Sequence, residues 1–226
     1  MNQKNIVLII LLIIIAASIY YLNSQKAGFD TSETVEAKVN QAAQGQNAVS
    51  KGTETQIGDY IPDENAINRK KSLYEKAPEL AGIAGYINTN PEIKIQNLKG
   101  KVVLVDFWTY TCINCIRTFP YLKDWHNKYA DKGLVIVGVH TPEFEFEKKY
   151  ENVKSAVEKY GLKYAVVQDN NYETWRAYKN RYWPHKYLID IDGFIRYDHI
   201  GEGAYAETER VIQELLKEKM EREGDV

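Results

Sequence analysis

Cys112 and Cys115 are the only cysteines in the 226-residue chain, and they stand three apart in Thr109-Tyr-Thr-Cys-Ile-Asn-Cys-Ile-Arg117. The residues before them (101–109) form an apolar, β-branched run; those after them have the spacing of an amphipathic helix. A Cys-x-x-Cys pair at such a junction is suited to thiol–disulfide exchange, because the thiolate is the nucleophile and helix-start N–H groups stabilise it. Cys112, nearer the helix start, is expected to attack, and Cys115, one turn on, to resolve the mixed disulfide into a redox-active Cys112–Cys115 bond. Half of a zinc site is the competing reading. Structural zinc takes four ligands, and His126, His140, His185 and His199 show no ligand-like spacing. A purely structural disulfide is disfavoured too, since so short a loop stabilises little.

Other residues could serve the same chemistry. Asp106 is a carboxylate inside an apolar strand, where burial raises its pKa unless it is paired. Trp108, Tyr110 and Trp183 are candidates for a substrate groove, with plain core packing as the alternative. Glu143 follows the second strand, on the edge where α/β sites gather, and could tune the thiols or face water. His185 reads either as a thiol neighbour or as an exposed edge residue. Arg117, just over one turn past Cys112, could favour the thiolate or face solvent.

These residues must be held by alternating elements. Residues 101–109 suit a central strand buried on both faces. A helix is expected from Cys112 to about Lys132, kinked at Pro120, which has no N–H to give. Residues 134–140 read as a second buried strand and 144–160 as an amphipathic helix. A third strand follows at 164–168 and a short helix at 171–179. Residues 186–190 and 194–200 flank Ile191-Asp192-Gly193, a hairpin signal. Residues 204–223 close the chain as a helix. The expected fold is α/β, a mixed central sheet with helices on both faces.

The segment from about Pro78 to Leu216 resembles a thioredoxin-like domain of the TlpA and DipZ kind. The resemblance is carried by Gly100-Lys-Val-Val-Leu-Val-Asp-Phe-Trp108, Cys112-Ile-Asn-Cys115, Pro120, Val139-His-Thr-Pro-Glu143, Tyr182-Trp-Pro184 and Gly201-Glu-Gly203. It is nearest to the soluble module of DipZ-type proteins. The resemblance implies that Asp106 lies beneath the cysteine pair and relays the resolving thiol's proton. It implies a cis Trp183–Pro184 bond against the disulfide, turning the preceding backbone outward for a substrate strand. It implies reduction of protein disulfides, protein thiol or disulfide clients as partners, and no cofactor. DipZ-type proteins usually carry a multi-span electron-transferring membrane domain, which this sequence does not show, so the electron donor stays unidentified. At His185 the family more often has a small residue.

Residues 6–22 carry no charge over seventeen positions, the short end of what spans a bilayer. Lys4 before them favours an N-terminus inside. Tyr20 and Tyr21 suit an interfacial belt, and we expect an uncleaved anchor; a cleaved signal peptide, suggested by Ala16-Ala17-Ser18, competes. Either places the rest outside the cytoplasm. Residues 1–22 are thus assigned to the anchor, 23–60 to a polar flexible linker, and 61–226 to the thioredoxin-like domain. A net charge of −2 gives no electrostatic case for nucleic acid. A copper or metal chaperone on the same fold and a thiol peroxidase are the alternative functions. The first usually spaces its cysteines by three residues, and the second places a proline before a single attacking cysteine.

Overall fold

A computed structural model describes residues 60–224; the expected anchor, nearly all of the linker and the last two residues lie outside the described residues. Among the described residues no helix is long and apolar enough to cross a membrane.

The apolar run after Gly100 forms the centre of a six-stranded sheet. Strand β2 (Val102–Trp108) is buried at every position. It pairs in parallel with β3 (Leu134–His140) on one side and antiparallel with β5 (His185–Ile189) on the other. Beyond β3 lie β4 (Ala165–Gln168) and β1 (Gly85–Ile87); beyond β5 lies β6 (Ile195–Ile200), giving the order β1-β4-β3-β2-β5-β6. Both β2 neighbours are internal strands, which is why its sequence is hydrophobic at every position but Asp106.

Helices α1 (Glu64–Lys71), α2 (Ile113–Tyr129), α3 (Tyr150–Tyr160), α4 (Glu173–Ala177) and α5 (Tyr205–Gly224) complete the domain. Strand period two sends Val102, Leu104 and Trp108 to one face, where they pack with Phe119, Leu122 and Trp125 of α2 and with Ile212 and Leu216 of α5. Val103, Val105 and Phe107 point to the other face, onto Tyr178, Tyr187 and Val139.

Several expectations are refined. Helix α2 runs unbroken through Pro120 to Tyr129. The expected helix over 144–160 divides into a short 3-10 turn (Glu145–Lys148) and α3. Strand β1 and helix α1 lie outside the elements expected from the sequence. The hairpin turn is as expected: Gly193 takes φ of +91°, and the Asp190 carboxylate accepts from the Asp192 and Phe194 N–H groups. Lys70 of α1 joins Asp190, Asp192 and Glu218, while Arg196 and Arg222 close the same network, tying α1 and α5 to this turn.

Gly138 of β3 pairs with Asp106, and a Cβ there would come within 2.9 Å of the indole nitrogen of fully buried Trp108. The indole cannot retreat, so Gly138→Ala is expected to destabilise the domain by about 1–3 kcal/mol, as overpacking does, read from the midpoint of urea unfolding.

Candidate active site

Strand β2 delivers the chain to the surface, and the turn from Thr109 to Thr111 leads into α2. Two buried groups fix this turn. The Thr109 hydroxyl lies 3.3 Å from His140 Nε2, and the Thr111 hydroxyl donates to Glu147 Oε1 at 2.6 Å. The other Glu147 oxygen accepts from the backbone N–H of Glu143 and Phe144, at 2.6 and 3.0 Å. Burial pushes the Glu147 carboxyl up, but the bonds from Thr111, Thr109, Phe144 and Glu143 outweigh it and hold it below its ordinary value. Burial keeps His140 neutral by lowering it to about 4.

The turn places Cys112 at the N-cap of α2. Its backbone is extended, and its sulfur accepts from the Cys115 N–H at 3.3 Å, using one of the N–H groups a helix start leaves unpaired. Both thiols are free; Cys112 is half-buried and Cys115 fully buried. The two sulfurs therefore differ sharply. Hydrogen bonding from the Cys115 thiol, against the cost of burial, and from the Cys115 and Asn114 N–H groups lowers Cys112 from 9.0 to about 6. Burial, with hydrogen bonding and charge at Cys112, drives Cys115 far above its ordinary range.

Asp106 lies on the α2 face of β2, completely buried, and neither carboxylate oxygen has a hydrogen-bond partner among the described residues. Burial raises it from 3.8 to about 7; Lys186 opposes the shift and Cys112 adds to it. The Trp183–Pro184 peptide is cis. The β2–β5 register carries Pro184 towards the Trp108 end of β2, and its carbonyl accepts from the Gly201 N–H at 2.7 Å.

The aromatic candidates separate. Tyr110 is half-exposed, stacks on His140 and donates to the Phe146 carbonyl. Trp183 is half-exposed, packs on Trp175 and donates to the Thr141 carbonyl at 3.1 Å. Trp108 has no exposed surface and packs edge-on against Phe119, so it is a core residue and cannot line a groove. His185 is neither a thiol neighbour nor exposed. It pairs with Phe107, on the face of the sheet opposite Asp106, and is held by Asn180 and Asp198. Arg117 is exposed and paired with Glu202 at 3.4 Å. Glu143 is exposed, and its charge works against the Cys112 thiolate.

Sequence reasoning missed Glu147, Lys186 and Tyr164. Lys186 is fully buried opposite Asp106. The Tyr164 hydroxyl is buried without a hydrogen-bond partner among the described residues and faces Asp106 and Cys115. A lysine preceding Tyr-Leu-Ile in an apolar strand was the available signal for Lys186; Glu147 is one glutamate among many in a charged stretch.

The pattern of the AhpC/TSA family matches residues 74–198. The chain belongs to that family. Among this member's relatives is Protein DipZ of Mycobacterium tuberculosis, 49% identical over 144 residues, which are 63% of this chain and 21% of DipZ. The chain thus spans about a fifth of that relative's length. The thiol-disulfide oxidoreductase ResA of Bacillus cereus is 32% identical over 124 residues, 55% of this chain and 69% of ResA. Among solved structures, the thioredoxin domain of a thiol-disulfide oxidoreductase from Bacteroides vulgatus is 29% identical, with a TM-score of 0.51 over 61% of this chain and 96% of that one. The family member described here has the thioredoxin-like α/β fold.

The difference between the two sulfurs has a direct readout. In the reduced protein, iodoacetamide is expected to modify Cys112 alone, with a rate that rises through a midpoint near pH 6. Peptide mapping across pH checks both points; a midpoint above 8 would contradict the environment described.

Proposed function

We infer that this thiol–disulfide oxidoreductase acts as a membrane-tethered, extracytoplasmic reductant of protein disulfides, using Cys112 and Cys115. The observation that carries this reading is the asymmetry of the pair: one accessible, acidic sulfur at a helix start and one buried, weakly acidic sulfur a turn behind it. The names of its relatives support the reaction class. The uncharged stretch at residues 6–22, preceded by Lys4, supports the tether and the side of the membrane.

In the proposed reaction the Cys112 thiolate attacks one sulfur of a client disulfide, and the other client sulfur leaves as a thiolate. Cys115 then gives its proton to Asp106 and attacks the Cys112 sulfur. The second client sulfur is released, and Cys112 and Cys115 are left joined. The client gains two electrons and the pair loses two; a separate dithiol donor must restore the pair. Tyr110, two residues before Cys112, and Trp183, just before the cis proline, carry half-exposed aromatic surface and are the proposed client contacts. A free Asp106 carboxylate near neutral pH suits the proton step, since a useful general base has a pKa close to the working pH.

Cys115→Ser is expected to accumulate a mixed disulfide between Cys112 and the client, while Cys112→Ser accumulates none. Non-reducing gels and mass spectrometry of membranes from cells making each variant read the result, and equal trapping by both would sink the assignment. The full chain is also expected to remain with the membrane fraction through a high-salt wash; release by salt would remove the tether from the reading.

A further inference from the structure

Lys186 is a cationic side chain with no exposed surface, on a strand in the middle of the sheet. Its register partner on β2 is Asp106. Directly paired residues of an antiparallel ladder carry their side chains on the same face, so both charges lie on the α2 side, under the cysteines. Burying either charge alone is costly. Yet the ammonium donates to the Gly201 carbonyl at 3.1 Å, and the Asp106 oxygens accept no hydrogen bond among the described residues. The lysine therefore acts on the carboxylate through its field rather than by contact. On the other flank β3 offers only Gly138. The remaining titratable groups facing Asp106 are Cys112 and Cys115 of α2 and Tyr164 ahead of β4. Lys186 in turn faces His199, its partner on β6, and Glu202 in the next loop.

We propose that Lys186 is a positioning residue for the proton leaving Cys115: its fixed charge, held in place by Gly201, keeps Asp106 able to ionise and accept that proton. This rests on the reading of Asp106 as proton acceptor. Lys186 itself neither gains nor loses a proton. The shifts agree in direction: Lys186 is the cation that pulls Asp106 down, and burial lowers Lys186 while Asp106, Cys115 and Glu202 pull it back up. Without it, the carboxyl is a solitary buried acid that stays protonated at neutral pH.

Two phases separate the steps. With a small aromatic disulfide whose thiolate absorbs light, reduced full-length protein releases one thiolate on Cys112 attack and a second on Cys115 resolution. Lys186→Met is expected to leave the first phase nearly unchanged. It should move the pH midpoint of the second phase up by about one unit, slowing it about fivefold at pH 7 and close to tenfold below pH 6. Lys186→Arg, which keeps the charge, should hold the midpoint near wild type. In an Asp106→Asn background, Lys186→Met should add no shift. A second phase slowed with an unmoved midpoint overturns the proposal. So does an equal shift in the Asp106→Asn background, which would mean that Lys186 acts on Cys115 directly. If Asp106→Asn alone leaves the second phase as in wild type, the proton-acceptor reading itself fails. Lys186→Gln serves under the same criteria if Lys186→Met does not fold.

Discussion

A helix start has N–H groups that the helix itself cannot pair, and here the acceptor placed against one of them is a sulfur. Together with the hydrogen bond from the Cys115 thiol, this placement makes Cys112 acidic while leaving it half-exposed. Much of the rest of the domain serves it. Strand β2 must end at a fixed point, so its flanks are packed with apolar residues on both faces. The turn that follows must hold one conformation, so His140 and Glu147 grip its two threonines.

The second constraint lies beneath. A carboxylate and an ammonium share the inner face of the sheet, under the cysteine pair, without a direct ion pair. A contact salt bridge would fix Asp106 in its ionised form over the whole working range of pH. Separation leaves it responsive, with burial raising it and the lysine's field restraining it. Gly138 belongs to the same arrangement, because its missing side chain admits the Trp108 indole that closes this region of the core.

Away from the cysteines, charge is used differently. Lys70, Arg196 and Arg222 interlock with Asp190, Asp192 and Glu218 and tie α1 and α5 to the β5–β6 turn. Here the charges are paired at contact distance and satisfied. The contrast with the solitary oxygens of Asp106 separates a network that holds the domain together from a group left free to change its protonation.

The sequence alone singled out the cysteine pair, the central strand that leads to it, and the order of most strands and helices. Those signals are local: apolar runs, helical spacing, a turn glycine and two cysteines three apart. It also pointed to Asp106, because a carboxylate in a continuous apolar run has few places to go. What it could not determine was what faces what. Trp108 and Asp106 stand two apart on one strand face, and only packing under α2 decided that the first is core and the second an acid without a hydrogen-bond partner among the described residues. His185 and Lys186 are adjacent, and the β2–β5 register alone sent the histidine to the far face and the lysine beneath the thiols. Strand register depends on pairing between segments nearly eighty residues apart, and a shift of one residue would exchange the two faces.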